Sequence, residues 1–508
     1  MRKPFSIPLN QTAFAAGLIL LAFGLVAWIV LSPAAVHGLY NSDILLPAAL
    51  HDNAFTRPNG YMGFQQARIL SFFPDQAVYH PMALLTGDPR AAFFGYAVIS
   101  FLALTWVGAT AIHQLDPNIR VPTAALAFAL VFTLLTFGLK QVPGLSPPYD
   151  ALLFPVNHSG PLIVSIWLFT RLKAPLKPQM LLLSAIIFLT SLSDALFLLF
   201  AVAPLGLAAL TRLDFVSPRA LLRSLWREKT YAGLMAFGLC GVGASSLFFS
   251  QGAPPLTVQA VVDALRLLRH DLLSLNPFNL YYLIGLVVLV GVVTEVVKRS
   301  GDARRQMIYV AAAMSLPIGF FVVYYGGQGA SRYLMALFVW PLILLSGALA
   351  RHLRKGRRVI LAGSLVGLAA GTAAHGSAIP ALNWRDPVET CLSRYPSLTR
   401  GLAAFWVARP ISVSSDFRLR TEQISPDGQP YVWGNDPWWY WHGADGTPAR
   451  FDFIVMKDLD EAAIRAKYGD PARVIQCPTT AVWMYDDPAR VAETLVRDAT
   501  RLKRQIRL

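Results

Sequence analysis

Hydrophobic positions along this chain fall in long unbroken runs, without the strict alternation of a half-buried strand or the one-sided stripe of a surface helix. No charged residue occurs between Lys3 and Asp43, and Ala13–Leu31 is apolar enough to span the ~30 Å hydrocarbon layer of a bilayer. It outruns the ~7–15-residue apolar region of a signal peptide, so it reads as a retained first helix. Further runs follow at 91–112, 122–139, 158–171, 179–193, 195–211, 231–250, 281–297, 307–325, 333–350 and 359–379. Together they predict about eleven transmembrane helices. The run 158–171 is short and carries Pro161, which predicts a broken or tilted helix. No internal repeat stands out.

After residue 379 the pattern changes. Phe451–Met456, Arg473–Cys477 and Ala481–Tyr485 read as strands. Asp458 or Asp460 is placed to cap a helix running to about Lys467, which Gly469-Asp470-Pro471 then ends. Asp487-Pro488 fits an N-cap followed by proline at the first helical position. The helix after it sets Val491, Leu495, Val496, Ala499, Leu502 and Ile506 on one face. That face suits packing on its own domain or lying on anionic headgroups. The expected fold class is thus an α-helical polytopic membrane protein. Residues 1–379 form the transmembrane domain, with a first outer loop at 35–90. Residues 380–508 form a small C-terminal α/β extracytoplasmic domain.

Composition supports this division. Of 508 residues, 55% are hydrophobic and only 14% charged, against ~25% charged in an ordinary soluble chain. Disorder, coiled coil and a soluble enzyme with a normal surface are excluded. The net charge is +15, and its location matters more than its size. Residues 380–508 hold 17 Lys/Arg and 16 Asp/Glu, whereas the first 379 hold 27 and 13. With the N-terminus inside, 20 of those 27 basic residues fall in inside segments and seven in outside ones. By the positive-inside rule the N-terminus is cytoplasmic and residues 380–508 lie outside the cytoplasmic (inner) membrane. No basic stripe with base-stacking aromatics suggests nucleic acid as a partner.

Cys240 sits in an apolar run and reads as a small buried hydrophobe. Cys391 and Cys477 both fall in the outer domain, in an oxidising compartment, so a disulfide is expected. No CxxC, HExxH or paired histidine spacing points to a metal site, and no GxGxxG or GxxxxGK[ST] to a nucleotide or other cofactor. The segment Trp433-Gly434-Asn435-Asp436-Pro437-Trp438-Trp439-Tyr440-Trp441 holds four of the 12 Trp. It reads as an interfacial or packing element, or as a platform for a sugar ring.

Sorted by side, the unusual polar residues share the outer face. Asp43 follows the first span in Tyr40-Asn41-Ser42-Asp43, and Asp75 lies in Phe72-Phe73-Pro74-Asp75-Gln76. Asn157-His158-Ser159-Gly160 opens the fourth span, Asp194 closes the fifth in Ser191-Leu192-Ser193-Asp194, and Arg332-Tyr333 opens the tenth. Ionisable groups near membrane depth are costly and usually serve a site or one another. Each has a plainer role as well: Asp43 and Asp75 as helix caps, Asp194 as partner of Arg332, His158 as a satisfied interfacial histidine.

This layout resembles the membrane glycosyltransferases of the GT-C fold, which include protein mannosyltransferases and lipid A aminoarabinose transferases. An acid soon after the first span, a long outer loop with two interfacial helices (43–52 and 75–86), many spans and a C-terminal outer domain carry the resemblance. Among bacterial members the NSD, FFPD, N-H-x-G, SD and RY segments are the likeness. Two features depart from the family. Asp43 is flanked by Ser42 and Ile44 where paired acids are common, and WGNDPWWYW is not the WWDYG of oligosaccharyltransferases. The resemblance implies Asp43 as the base that deprotonates an acceptor hydroxyl, with Arg332, and His158 secondarily, on the donor phosphate. Asp75, Asn157, Asp194 and Tyr333 complete the substrate-binding set.

The expected activity is inverting transfer from a polyprenyl-phosphate-linked sugar to a cell-envelope acceptor at the outer face. Membrane lipid and the lipid-linked donor are the expected partners. A carboxylate base and a cation on the departing phosphate suffice for that chemistry. The alternative is a transporter or flippase of a lipid-linked or small polar substrate. That reading wants polar groups at mid-membrane in broken helices, and apart from Glu295, towards the inner end of its run, the runs lack acids in their middles.

Overall fold

The structure is a computed structural model that describes residues 9–31, 41–57, 60–65, 70–140, 152–156, 158–172, 179–214, 216–245, 257–259, 262–263, 265–266, 277–324, 331–352, 385–443 and 445–505. It is mostly helical, with one five-stranded sheet near its C-terminus. The chain divides into two compact units. One comprises Met1–Ile29, Ile69–Val78 and Tyr96–Gly376, and the other Val30–Arg68, Tyr79–Gly95 and Ser377–Leu508.

The first unit is a helical bundle. Apolar runs with no internal polar face form the helices Leu9–Leu31, Pro89–Leu115, Val121–Lys140, Ser159–Thr170 and Met180–Ser193. Leu198–Leu210, Lys229–Ser245, Pro277–Lys298, Gly301–Tyr324 and Ala336–His352 follow. The run 359–379 lies outside the described residues. Among the described residues, Pro89–Leu115 is both long and apolar enough to cross a membrane, and several other apolar helices are shorter. Small residues set the closest packing, as expected where backbones must approach without a bulky seam. A Cβ at Gly241 would stand 2.5 Å from the Phe188 carbonyl oxygen, and one at Gly238 2.7 Å from Val202. Met180–Ser193 therefore lies backbone to backbone against Lys229–Ser245. Polar links add to this: Ser165 donates to the Phe200 carbonyl at 2.5 Å, and Tyr309 to the Ser165 carbonyl at 2.9 Å.

The second unit is built on a mixed sheet. Its strands are β1 (Arg400–Ala404), β2 (Arg420–Ile424), β3 (Phe453–Val455), β4 (Arg473–Gln476) and β5 (Ala481–Met484), in the order β2-β1-β3-β5-β4. β1 runs parallel to β2, with Arg400 opposite Arg420, and parallel to β3. β5 is antiparallel to β3 and β4. Phe405–Ser414 joins β1 to β2 and packs with Val388, Leu392, Phe453 and Val482 on one face. Ile464, Tyr468, Val491 and Leu495 cover Leu402, Ile454 and Trp483 on the other. A Cys391–Cys477 disulfide joins the helix Pro387–Leu392 to the residue after β4.

Local chemistry sets the helix ends. The Asp460 carboxylate accepts from the Ala462 and Ala463 amides and so caps Glu461–Tyr468, while Asp458 sits at φ 63° outside the helix. Asp487 accepts from the Arg490 amide at 3.1 Å. In the helix that follows, Val491, Ala492 and Leu495 are buried against the sheet, which is the domain-packing alternative for that face.

The unit boundary differs from a cut at residue 379 with the whole first loop on the transmembrane side. Most of that loop groups with the C-terminal domain, because its polar groups are bonded there. The Ser42 hydroxyl donates to the Phe405 carbonyl at 2.5 Å. Asp52 accepts from Arg420 at 2.5 Å. Asp436 accepts from Asn53 at 2.9 Å and from Arg57.

Candidate functional site

In the first unit, four of the candidates named from the sequence, Asp75, His158, Asp194 and Tyr333, come together. Ser71, in a left-handed conformation, leads into a tight turn at Phe72–Gln76 that contains a cis Phe73–Pro74 bond. The turn is pinned to the end of Met180–Ser193: the Ser71 amide donates to the Ser193 carbonyl at 3.1 Å, and the Phe73 amide to the Ser193 hydroxyl at 3.0 Å. It delivers Asp75 into the interior, where one carboxylate oxygen accepts from the Tyr96 hydroxyl at 2.7 Å and the other from the Val156 amide at 3.1 Å. Burial raises the Asp75 pKa to about 6, against the opposing pull of these two donors.

Gly160 makes room for that carboxylate. A Cβ there would stand 2.2 Å from Asp75 Oδ1 and 2.6 Å from Pro74. This gives the glycine of Asn157-His158-Ser159-Gly160 a physical reason. His158 itself has φ 63° and is fully buried, and its Nδ1 lies 2.5 Å from Asp194 Oδ2. Asp194 Oδ1 accepts from the Leu196 amide at 2.9 Å. With Nδ1–H donating to Asp194, the far nitrogen Nε2 is an acceptor when the ring is neutral and a donor when it is protonated. Nε2 is buried and makes no hydrogen bond among the described residues. The Tyr333 ring, also buried, lies 5.1 Å from the imidazole.

Asn157 and the side chain of Arg332 lie outside the described residues. Asp194 is therefore seen with His158 as its partner. The capping role for Asp75 does not appear, because its two carboxylate oxygens accept from Tyr96 and Val156; Asp194 accepts from the Leu196 amide two residues on and faces His158.

Asp43 belongs to the second unit. Its amide and that of Ile44 are held by the Asn41 side chain at 3.0 and 3.1 Å, and the helix Leu46–Thr56 begins at Leu45 with no side-chain cap. Asp43 is thus not the cap of that helix. Its carboxylate interacts with the buried Arg409. That guanidinium donates to the Ser42 carbonyl and, at 2.5 Å, to the Gly434 carbonyl. Burial pulls the Arg409 pKa down to about 10, with Asp43 opposing.

The tryptophan-rich segment is a packing element of this unit. Trp439 Nε1 donates to Asn53 at 2.6 Å, Tyr440 is buried with its hydroxyl on the Gln423 carbonyl at 2.7 Å, and Arg57 lies over Trp438. Asn53, Arg409, Arg420, Glu422, Asn435 and Trp439 line a small polar cleft beside it. The buried Glu422 in this cleft accepts from Asn435 at 2.9 Å, and burial raises its pKa against the pull of Arg420 and Arg400.

Two functional partners escape the sequence pattern. Tyr96 sits in an apolar helix among many aromatics, and nothing in its surroundings singles it out. Arg409 does leave a signal: it is the lone charge in the apolar helix Phe405–Ser414. Among the described residues no group of three or more His, Cys, Asp or Glu is placed to hold a metal. No protein-family model, curated protein or solved structure matches this chain.

Proposed function

We propose that this protein is a polytopic membrane glycosyltransferase of the GT-C type, with about eleven spans, a cytoplasmic N-terminus and residues 380–508 outside. In this reading it transfers a hexosyl or pentosyl unit from polyprenyl phosphate to an envelope acceptor. The observation that carries the reading is the buried cluster of Asp75, His158, Asp194 and Tyr333. It joins segments up to 258 positions apart in sequence, all on the outer face in the proposed topology. Buried ionisable groups on apolar helices are rarely kept without a task.

The chemistry follows from ordinary principles. The acceptor hydroxyl gives its proton to the Asp43 carboxylate as its oxygen attacks the anomeric carbon. The bond from that carbon to the phosphate oxygen breaks, and the electron pair leaves with polyprenyl phosphate, inverting the centre. A cation offsets the charge on the departing phosphate, the role this reading gives to Arg332 and secondarily to His158. Asp75, Asn157 and Tyr333 hold the substrate.

The test supplies purified, reconstituted protein with polyprenyl phosphate carrying radiolabelled hexose or pentose, and follows loss of label from the lipid phase. Asp43→Asn should lower turnover on the order of 10²–10⁴-fold while leaving folding intact. Full activity in that variant removes Asp43 as the base.

A transporter or flippase is the second reading. It would use the same buried ionisable groups, Asp75, His158 and Asp194, as contacts for a transported substrate or ion. Label that crosses the bilayer still attached to lipid, with none released by the protein, would select this alternative.

A further inference from the structure

We propose that His51 and His80 form a binding site for one divalent transition-metal ion, Cu²⁺ or Zn²⁺. The pair lies within the second unit and is independent of the glycosyl-transfer reading. His51 comes from the helix Leu46–Thr56 and His80 from Ala77–Thr86, and their Nδ1 atoms face each other at 3.2 Å. Two imidazole nitrogens bound ~2.05 Å from a tetrahedral ion stand ~3.3 Å apart. In the structure the two nitrogens share a hydrogen bond at 3.2 Å; an ion would take the place of the shared proton, with the donating ring shifting to its Nε2–H tautomer, at a separation close to the bite of two metal ligands.

A metal needs neutral imidazole at both positions. Phe55 lies 4.6 Å from the His51 ring, and Tyr79 flanks both histidines, so the rings are held in place. Asp52, next in sequence, is committed to Arg420 at 2.5 Å, and its negative charge still favours a cation at His51. Neither ring is fully buried, so water or an outside ligand can fill the remaining coordination positions. With two protein ligands the site is a weak, exchangeable one, and it should prefer Cu²⁺ over Zn²⁺. An ion there would clamp the two loop helices together.

The experiment uses the full chain in detergent without a polyhistidine tag, titrated with Cu²⁺ at pH 7. Electron paramagnetic resonance should show one copper with hyperfine splitting from two imidazole nitrogens. Affinity should fall roughly tenfold or more in both His51→Gln and His80→Gln. Carbethoxylation of the wild-type protein, mapped by mass spectrometry, gives a second measurement that needs no variant: Cu²⁺ should shield His51 and His80 from the reagent. A wild-type spectrum without the two-nitrogen pattern overturns the proposal. So does unchanged affinity in the double variant, or unchanged labelling of the two histidines with copper present.

Discussion

Gly160→Ala isolates the part of the buried cluster whose geometry is tightest. The added methyl would stand 2.2 Å from Asp75 Oδ1 and 2.6 and 2.8 Å from the Pro74 ring. Neither neighbour can move freely: Pro74 is fixed in the Phe72–Gln76 turn, and the carboxylate is held by Tyr96 at 2.7 Å and Val156 at 3.1 Å. Reaching ordinary van der Waals contact displaces the carboxylate by ~1 Å, enough to break the short Tyr96 bond. A hydrogen bond to a charged group is worth ~1.5–3 kcal/mol, and overpacking a rigid site costs a further ~1–3 kcal/mol. Gly160→Ala should therefore destabilise the protein by about 3–5 kcal/mol. Thermal unfolding of the purified protein in detergent, read by intrinsic fluorescence, measures this. In Asp75→Ala the carboxylate is gone, so the same glycine change should cost only the Pro74 part. A double-mutant cycle should then show coupling of about 1.5–3 kcal/mol. Additive losses, or a Gly160→Ala protein as stable as wild type, would refute the packing argument.

Two further predictions concern charge and covalent closure. Asp75 has a folded-state pKa raised from 3.8 to about 6, so the native state binds the extra proton and stability falls as pH rises through that window. Relative to Asp75→Asn, wild-type stability should drop on the order of 3 kcal/mol between about pH 4 and pH 7; parallel stability profiles would show that the carboxyl is not buried as described. Replacing Cys391 and Cys477 together by Ser opens a loop closed across 86 positions and should cost on the order of 4 kcal/mol in the chain-entropy model. Chemical unfolding of the two forms gives that difference, and free thiols in non-reduced wild-type protein would remove its basis.

The helices of the first unit are legible because each apolar run is long and has no polar face. β3, β5 and the helix capped by Asp460 are legible for a similar reason, since strand residues and caps carry local signals. β1 and β2 are not. β1, Arg-Gly-Leu-Ala-Ala, is buried almost throughout, so it lacks the alternation that marks a half-buried strand. β2 carries Glu422 and Gln423 inward, two residue types that argue against a strand. What makes them strands is the sheet itself, with its parallel pairing through Phe405–Ser414. No window of a few residues contains that information.

The candidate site divides along the same physical line. Asp75, His158, Asp194 and Tyr333 stand out in sequence because ionisable and polar residues are rare at the ends of apolar runs. Their partners are fixed by folding alone. A bridge from Asp194 to Arg332 is an equally reasonable pairing by charge. The Arg332 side chain lies outside the described residues, and among those described Asp194 is bonded to His158, whose left-handed backbone lies two residues before the Gly160 that makes room for the Asp75 carboxylate. Asp43 shows the reverse. Its position before a helix suggests a cap, yet the helix Leu46–Thr56 begins without a side-chain cap, and it is Asn41 that holds the Asp43 and Ile44 amides in the turn before it. The Asp43 carboxylate interacts with the buried Arg409. Asp43→Asn keeps the size of the side chain and most of its hydrogen-bonding ability, so it is more informative here than a substitution in the buried cluster, where loss of activity and loss of packing would arrive together.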